Sequence, residues 1–273
     1  MKSSQPYLEV RAGLLNGVEL DERRRRSLWK IFDYVVRIIK REMNEYSSER
    51  GEHSSDRNLH YEIGEDVHLP DDLNEKLDKI KAEAKSVHVL ILAISPHSSS
   101  FSHSNCLTRE SIALVQVSIN DLVDLPDVCR IGGPILHELC HALLVPHTRR
   151  GVMHDGIIPE ENEVDNELPP LRCMGNIETT ILSHHPVMID IESVSGDNTI
   201  TVCRTDEKSI EISPNVVYCV VLRSTVAERI IDWQGVEERI RVVSRLEEED
   251  TLVVCTQFSV KCLAISSLPI KDR

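Results

Sequence analysis

Apolar positions recur with a helical period in "DERRRRSLWKIFDYVVRIIKREMNEY", where Leu28, Ile31, Phe32, Val35, Val36, Ile38 and Ile39 share one face of a charged segment. A helix is predicted there. A second is expected in "DLNEKLDKIKAEAKSV", leading to "HVLILAIS", an apolar run of buried-strand length. "SIALVQVSIN" reads as a further strand, and "DLPDVCRIGGP" carries the chain to an apolar helix with Gly132, Gly133 and Pro134 at its start. The polar, aperiodic stretch over 46–70 predicts a mobile linker or loop, and "PHSSSFSHSN" a solvated one. Beyond residue 185 the pattern changes to short alternating runs separated by turn signals such as Ser195-Gly196-Asp197-Asn198. The expected organisation is α+β: helices packed on a sheet in residues 1–185, then a small all-β domain of seven or eight strands, sandwich or barrel, in 186–273.

Charge narrows the range of partners. A formal net charge of -14 argues against nucleic acid or an anionic membrane, which call for a basic footprint. The run Arg23 to Arg26 reads as the solvated start of the first helix. No stretch approaches the roughly 18 apolar residues of a membrane span, and the amino terminus carries no secretory apolar region. Eight scattered cysteines without a CxxC pair point to reduced thiols and a cytoplasmic protein. Cys140 reads as a small buried hydrophobe, and His97 and His103 as residues of a surface loop.

The chemistry concentrates in "GGPILHELCHALLVPHTRRGVMH", residues 132–154. On a helix, His137 and His141 lie within about 40° of each other and one turn apart, so both imidazoles can reach one ion. Glu138 flanks that face, while Ile135, Leu136, Leu139, Ala142 and Leu143 bury the rest. Ionisable groups on a buried stripe need partners, and a divalent metal supplies one. His-Glu-x-x-His on a helix is the zinc metallopeptidase signature, with two histidine ligands and a glutamate base. A catalytic zinc takes a third protein ligand. Pro146 should end the helix near Leu144 and free His147 to turn back. Glu160, Glu161, Glu163, Asp165, Glu167 and His154 are the other candidates for that position.

His137-Glu138-x-x-His141 followed by His147 resembles the metzincin clan, HExxHxxGxxH with a methionine turn beneath the metal. The "PHTRRGVM" stretch is most similar to a group of zinc metalloproteinase-like proteins of fungi and some animals. The close match is confined to this region, with "LSHHPVM" at 182–188 a weak extension. The resemblance implies a metzincin-like domain with His137, His141 and His147 as Zn2+ ligands, Glu138 as catalytic base and Met153 as the turn methionine. It implies a zinc metalloendopeptidase acting on peptide or protein substrates, with an extended substrate added as a strand beside "SIALVQVSIN". One position departs: Leu144 stands where the clan has glycine, which leaves the helix through positive φ. A leucine there costs on the order of 1 kcal/mol and bears on ligand geometry and turnover. The competing expectation is an inactive, protease-derived zinc-binding module acting through its β-rich carboxyl-terminal part.

Overall fold

The computed structural model describes residues 7–49, 58–69, 80, 83, 84, 86, 88–96, 102–104, 111–123, 127–156, 158, 172–188, 201–206, 208–213, 215–223, 226–232, 241–256 and 260–269. Among the described residues the first element is a strand, β1 (Leu8–Leu15), ahead of the expected helix. Its alternation is masked in sequence by Glu9 and Arg11, yet every residue is buried. Leu8, Val10, Ala12 and Leu14 face the main core, while Arg11 Nε donates to Glu9 Oε1 at 2.6 Å on the opposite face. The first helix, α1 (Glu22–Glu49), follows the predicted period, and Arg25 of its basic run pairs with Asp66.

The stretch expected to be a linker contributes two short strands, β2 (Tyr61–Ile63) and β3 (Val67–Leu69), both parallel to β1. Three residues are too few to show a period, so pairing with β1 alone defines them. Strands β4 (His88–Ser95) and β6 (Ser111–Ser118) form where the apolar runs predict, and β5 (Ser102–Ser104) arises from the stretch read as a loop. The six-stranded sheet has the order β2-β1-β4-β6-β5, with β3 also on β1; β5 is antiparallel and the other pairings are parallel. Both faces are covered. Leu90, Leu92 and Ile94 of β4 pack in the core beneath α1, while Val89, Ile91 and Ala93 pack with Ile80 on the other side. Double burial explains the unbroken apolar run of β4. Most of the predicted second helix lies outside the described residues.

Helix α2 (Val128–Ala142) starts earlier than expected. Asp127 caps it by accepting from the Arg130 amide at 3.0 Å, so Pro134 sits inside the helix. Gly133 serves close approach: a Cβ there would stand 2.2 Å from the Gly156 carbonyl oxygen. Two further helices follow, α3 (Val152–Asp155) and α4 (Asn176–Ser183).

The carboxyl-terminal part is all-β among the described residues. Strands β9 (Val216–Arg223), β10 (Val226–Asp232), β12 (Thr251–Thr256) and β13 (Val260–Ala264) form one antiparallel sheet, ordered β10-β9-β12-β13. Strands β7 (Val202–Asp206), β8 (Ser209–Ile212) and β11 (Arg241–Ser244) form another. Cys219, Val221, Leu252 and Val254 pack with Ile210, Ile212 and Val243 between the two sheets. Tyr218, Val220, Leu222, Val253 and Cys255 point the other way and join the core of the amino-terminal part. The whole is a mixed α and β architecture whose two parts share one apolar core. No helix among the described residues is long and apolar enough to cross a membrane.

Candidate metal centre

The sequence of α2 sets two imidazoles one turn apart, and the way the helix stops brings in the third. The helix ends at Ala142, two residues before the point expected from Pro146. The Val145 amide donates to the Cys140 carbonyl and the Leu144 amide to the His141 carbonyl, both at 2.9 Å. That pair of bonds is the reversal usually built around a left-handed glycine. Leu144 occupies the left-handed position with φ of 60°, as the substituted glycine would. Burial holds it there, since only 4% of the side chain is exposed. The turn is therefore made at the cost of backbone strain, and His147 still comes back to the helix.

The ring nitrogens of His137, His141 and His147 come within 4.8 Å of one another, and the Nε2 atoms of His141 and His147 stand 3.1 Å apart. Among the described residues no other such group of metal-capable side chains assembles. Two of the imidazoles are oriented through Nδ1. That of His137 lies 2.7 Å from the Val152 carbonyl oxygen, and that of His141 lies 3.0 Å from the Val145 carbonyl oxygen. A carbonyl takes an N–H, so Nε2 of each of these two rings carries the lone pair, the arrangement common to metal-binding histidines. Burial pushes the pKa of His141 down to about 3, with the charges of His137 and His147 adding to it. Burial and then His137 lower that of His147. Neutral imidazoles are the form that binds metal. This cluster can hold a metal ion.

Glu138 is also buried, 2% exposed, on the same helix next to His137. Met153 is fully buried on α3, and its neighbour Val152 supplies the carbonyl that orients His137. Cys140 is buried in the core, and its thiol pKa is raised well above the ordinary value by burial and then by Glu178 and Glu138, as suits an inert residue. His154 is exposed, 3.8 Å from Asp155, and is not part of the cluster. The five acidic candidates between 160 and 167, together with His97, lie outside the described residues, as does the side chain of His103. The β6 edge expected to receive substrate is already paired with β5 across Ala113–Val115.

Two groups around the site carry no motif. Glu178 of α4 is 1% exposed and reaches Thr148, the residue after His147, with 2.7 Å between Oε1 and Oγ1. The Thr148 hydroxyl is also 2.7 Å from the Arg150 carbonyl oxygen. The Thr148 hydroxyl proton is shared between the Glu178 carboxylate and that carbonyl. The pKa of Glu178 is raised by burial, against the hydrogen bond from Thr148. The second group is His185 of the "LSHHPVM" stretch, which is wholly buried and packs edge-on against His88 at 4.8 Å between ring centres. His88 Nδ1 in turn meets the Ala142 carbonyl oxygen at 2.9 Å, at the end of α2. A glutamate three residues into a short helix has no distinctive spacing, and although "LSHHPVM" stood out as a weak extension of the resemblance, the contact of His185 with His88 is revealed only by the tertiary structure.

No protein-family model matches this chain, and no curated protein sequence matches it significantly.

Proposed function

We propose that this chain is a zinc-dependent metallopeptidase of the metzincin type, with His137, His141 and His147 as the zinc ligands and Glu138 as the general base. The observation that carries the reading is the convergence of three imidazoles, two of them oriented by main-chain carbonyls, beside a buried glutamate. The donor set fits zinc. Nitrogens bound to one tetrahedral zinc at roughly 2.0–2.1 Å stand about 3.3 Å from each other, close to the 3.1 Å between His141 and His147. Three histidines also leave a coordination position open, as a catalytic site requires.

Zinc supplies Lewis acidity at such a site, acidifying a water and polarising a carbonyl. The protein's own groups do the rest. His137 and His141 stay in one tautomer because their Nδ1 protons are committed to Val152 and Val145. Glu138 takes the proton of the attacking water on its carboxylate and returns it to the departing amine.

Zinc content by elemental analysis, after dialysis against a weak chelator, tests the ligand set. About one zinc per chain in the wild type, lost in His147→Ala, supports it; no zinc in the wild type rejects the enzyme. Glu138→Gln should keep zinc and abolish cleavage of a diverse peptide library. A zinc-loaded wild type that cleaves nothing in that library reduces the protein to a non-catalytic metal-binding module.

A further inference from the structure

His137 and His141 are carried by a helix, but His147 sits in a segment without regular structure. Ordering each residue of such a segment costs conformational entropy, so contacts from elsewhere must hold the third imidazole in place. They come from β10, the edge strand of the carboxyl-terminal four-stranded sheet, some 80 residues further along the chain. The Ala227 amide donates to the His147 carbonyl oxygen at 2.8 Å, and Val226 lies opposite His147 in a parallel bridge.

The next residue continues the contact. Pairing of β10 with β9 shifts between Ala227 and Arg229, which leaves Glu228 as the extra residue of a bulge. Bulges re-aim a side chain out of the ladder, and here the Glu228 carboxylate accepts from Arg149 at 2.8 Å. Val226 and Ala227 thus engage His147, and Glu228 engages Arg149. The Ala227 bond is shielded from water, since Ala227 is buried. An edge strand has unpaired amides that need a partner. This one spends its amide on the residue that bears the third ligand.

We infer that β10 is a built-in part of the metal centre, a main-chain buttress in which Ala227 is the positioning residue for His147. The inference rests on reading His137, His141 and His147 as a metal site. The carboxyl-terminal β part is then not an appendage with a separate role: it sets how firmly the third ligand is presented. Loosening β10 weakens metal binding although every ligand remains.

The test uses the full-length chain with Ala227→Pro, which removes the amide proton at an edge position that tolerates proline, and Ala227→Gly, which keeps it. Zinc affinity is measured by competition with a chromophoric chelator, and the visible absorption of the cobalt-substituted protein reports ligand geometry. Hydrogen exchange of residues 147–153 is followed in the metal-free protein. Ala227→Pro should bind zinc about 10- to 100-fold more weakly, the usual loss when a group supporting a ligand is removed. It should also alter the cobalt spectrum and speed exchange in 147–153, while Ala227→Gly stays within about threefold of the wild type. Wild-type affinity, spectrum and exchange in Ala227→Pro overturn the inference alone. A wild type that binds no metal overturns the metal reading and the inference with it.

If Ala227→Pro lacks a cooperative thermal transition, a charge swap decides. Arg149→Glu and Glu228→Arg should each weaken zinc binding about two- to fivefold, the scale of an exposed ion pair. The double variant should restore it. Losses that simply add in the double variant, or no loss in either single one, overturn the buttress.

Discussion

His137 Nδ1 and the Val152 carbonyl oxygen stand 2.7 Å apart, so the first imidazole of the cluster is oriented by the residue that immediately precedes the buried Met153. Met153 fills the core below the site, and its packing decides where the Val152 carbonyl stands. Met153→Ala should destabilise the fold by about 2–5 kcal/mol through the cavity it leaves, and weaken metal binding as His137 loses its fixed orientation. Met153→Leu should cost less than about 1.5 kcal/mol. Denaturant unfolding and metal titration on both variants measure this; unchanged affinity in Met153→Ala would separate the turn from the ligand.

Putting a glycine at the left-handed position of Leu144 should not stabilise the protein. Glycine takes the same left-handed conformation without the roughly 1–2 kcal/mol of strain that leucine carries there. Removing a leucine that is almost wholly buried costs about 2–5 kcal/mol, so the loss of packing wins. Leu144→Gly should therefore unfold at lower denaturant by a net amount on the order of 1–3 kcal/mol, with metal affinity retained because the turn is unchanged. A more stable Leu144→Gly would mean that the strain exceeds the packing.

Acid should destabilise the metal-free protein. His185 is held well below its ordinary pKa by burial and then by His88, and His141 and His147 are lowered as well. Each imidazole binds its proton more readily in the unfolded chain. Stability is therefore fully present above the unfolded value near 6.5, and it falls as the pH drops below it toward the depressed folded values. His185→Leu should lose about 1 kcal/mol at pH 7.5, where the bond from the Val187 amide is given up, and show a shallower acid slope. Denaturant midpoints between pH 7.5 and 5 test the difference; equal slopes would exclude His185 as a contributor.

Glu178 contributes in the opposite direction. Its raised pKa means that the folded state binds the proton more tightly, so its contribution is present below the ordinary carboxylate value and is lost as the pH rises through the folded one. Glu178→Gln removes the titrating group and keeps an oxygen that can accept from Thr148 at every pH. Relative to the wild type it should be near neutral at pH 5 and gain stability toward pH 8. A difference independent of pH would mean that Glu178 is ionised in the fold.

Local pattern was enough for the parts of this protein that repeat. The period of α1, the apolar runs of β4 and β6, and the spacing of His137, Glu138 and His141 were all legible, because neighbours on a helix or strand are set by a few residues of chain. The leucine at the position where the resembled motif has glycine even marked a residue with positive φ. Short strands were not legible. Strands β2, β3 and β5 are three residues each and exist only by pairing with β1 or β6, and the polar residues of β1 hid its alternation.

By itself the sequence determined that three histidines and a glutamate sit close enough along the chain to share one site. What supports that site was decided by the tertiary structure. Thr148 meets Glu178, His88 meets His185, and His147 meets Ala227 across separations of 30 to nearly 100 residues. Such contacts depend on how whole sheets and helices stack, and no short-range period of side chains encodes that.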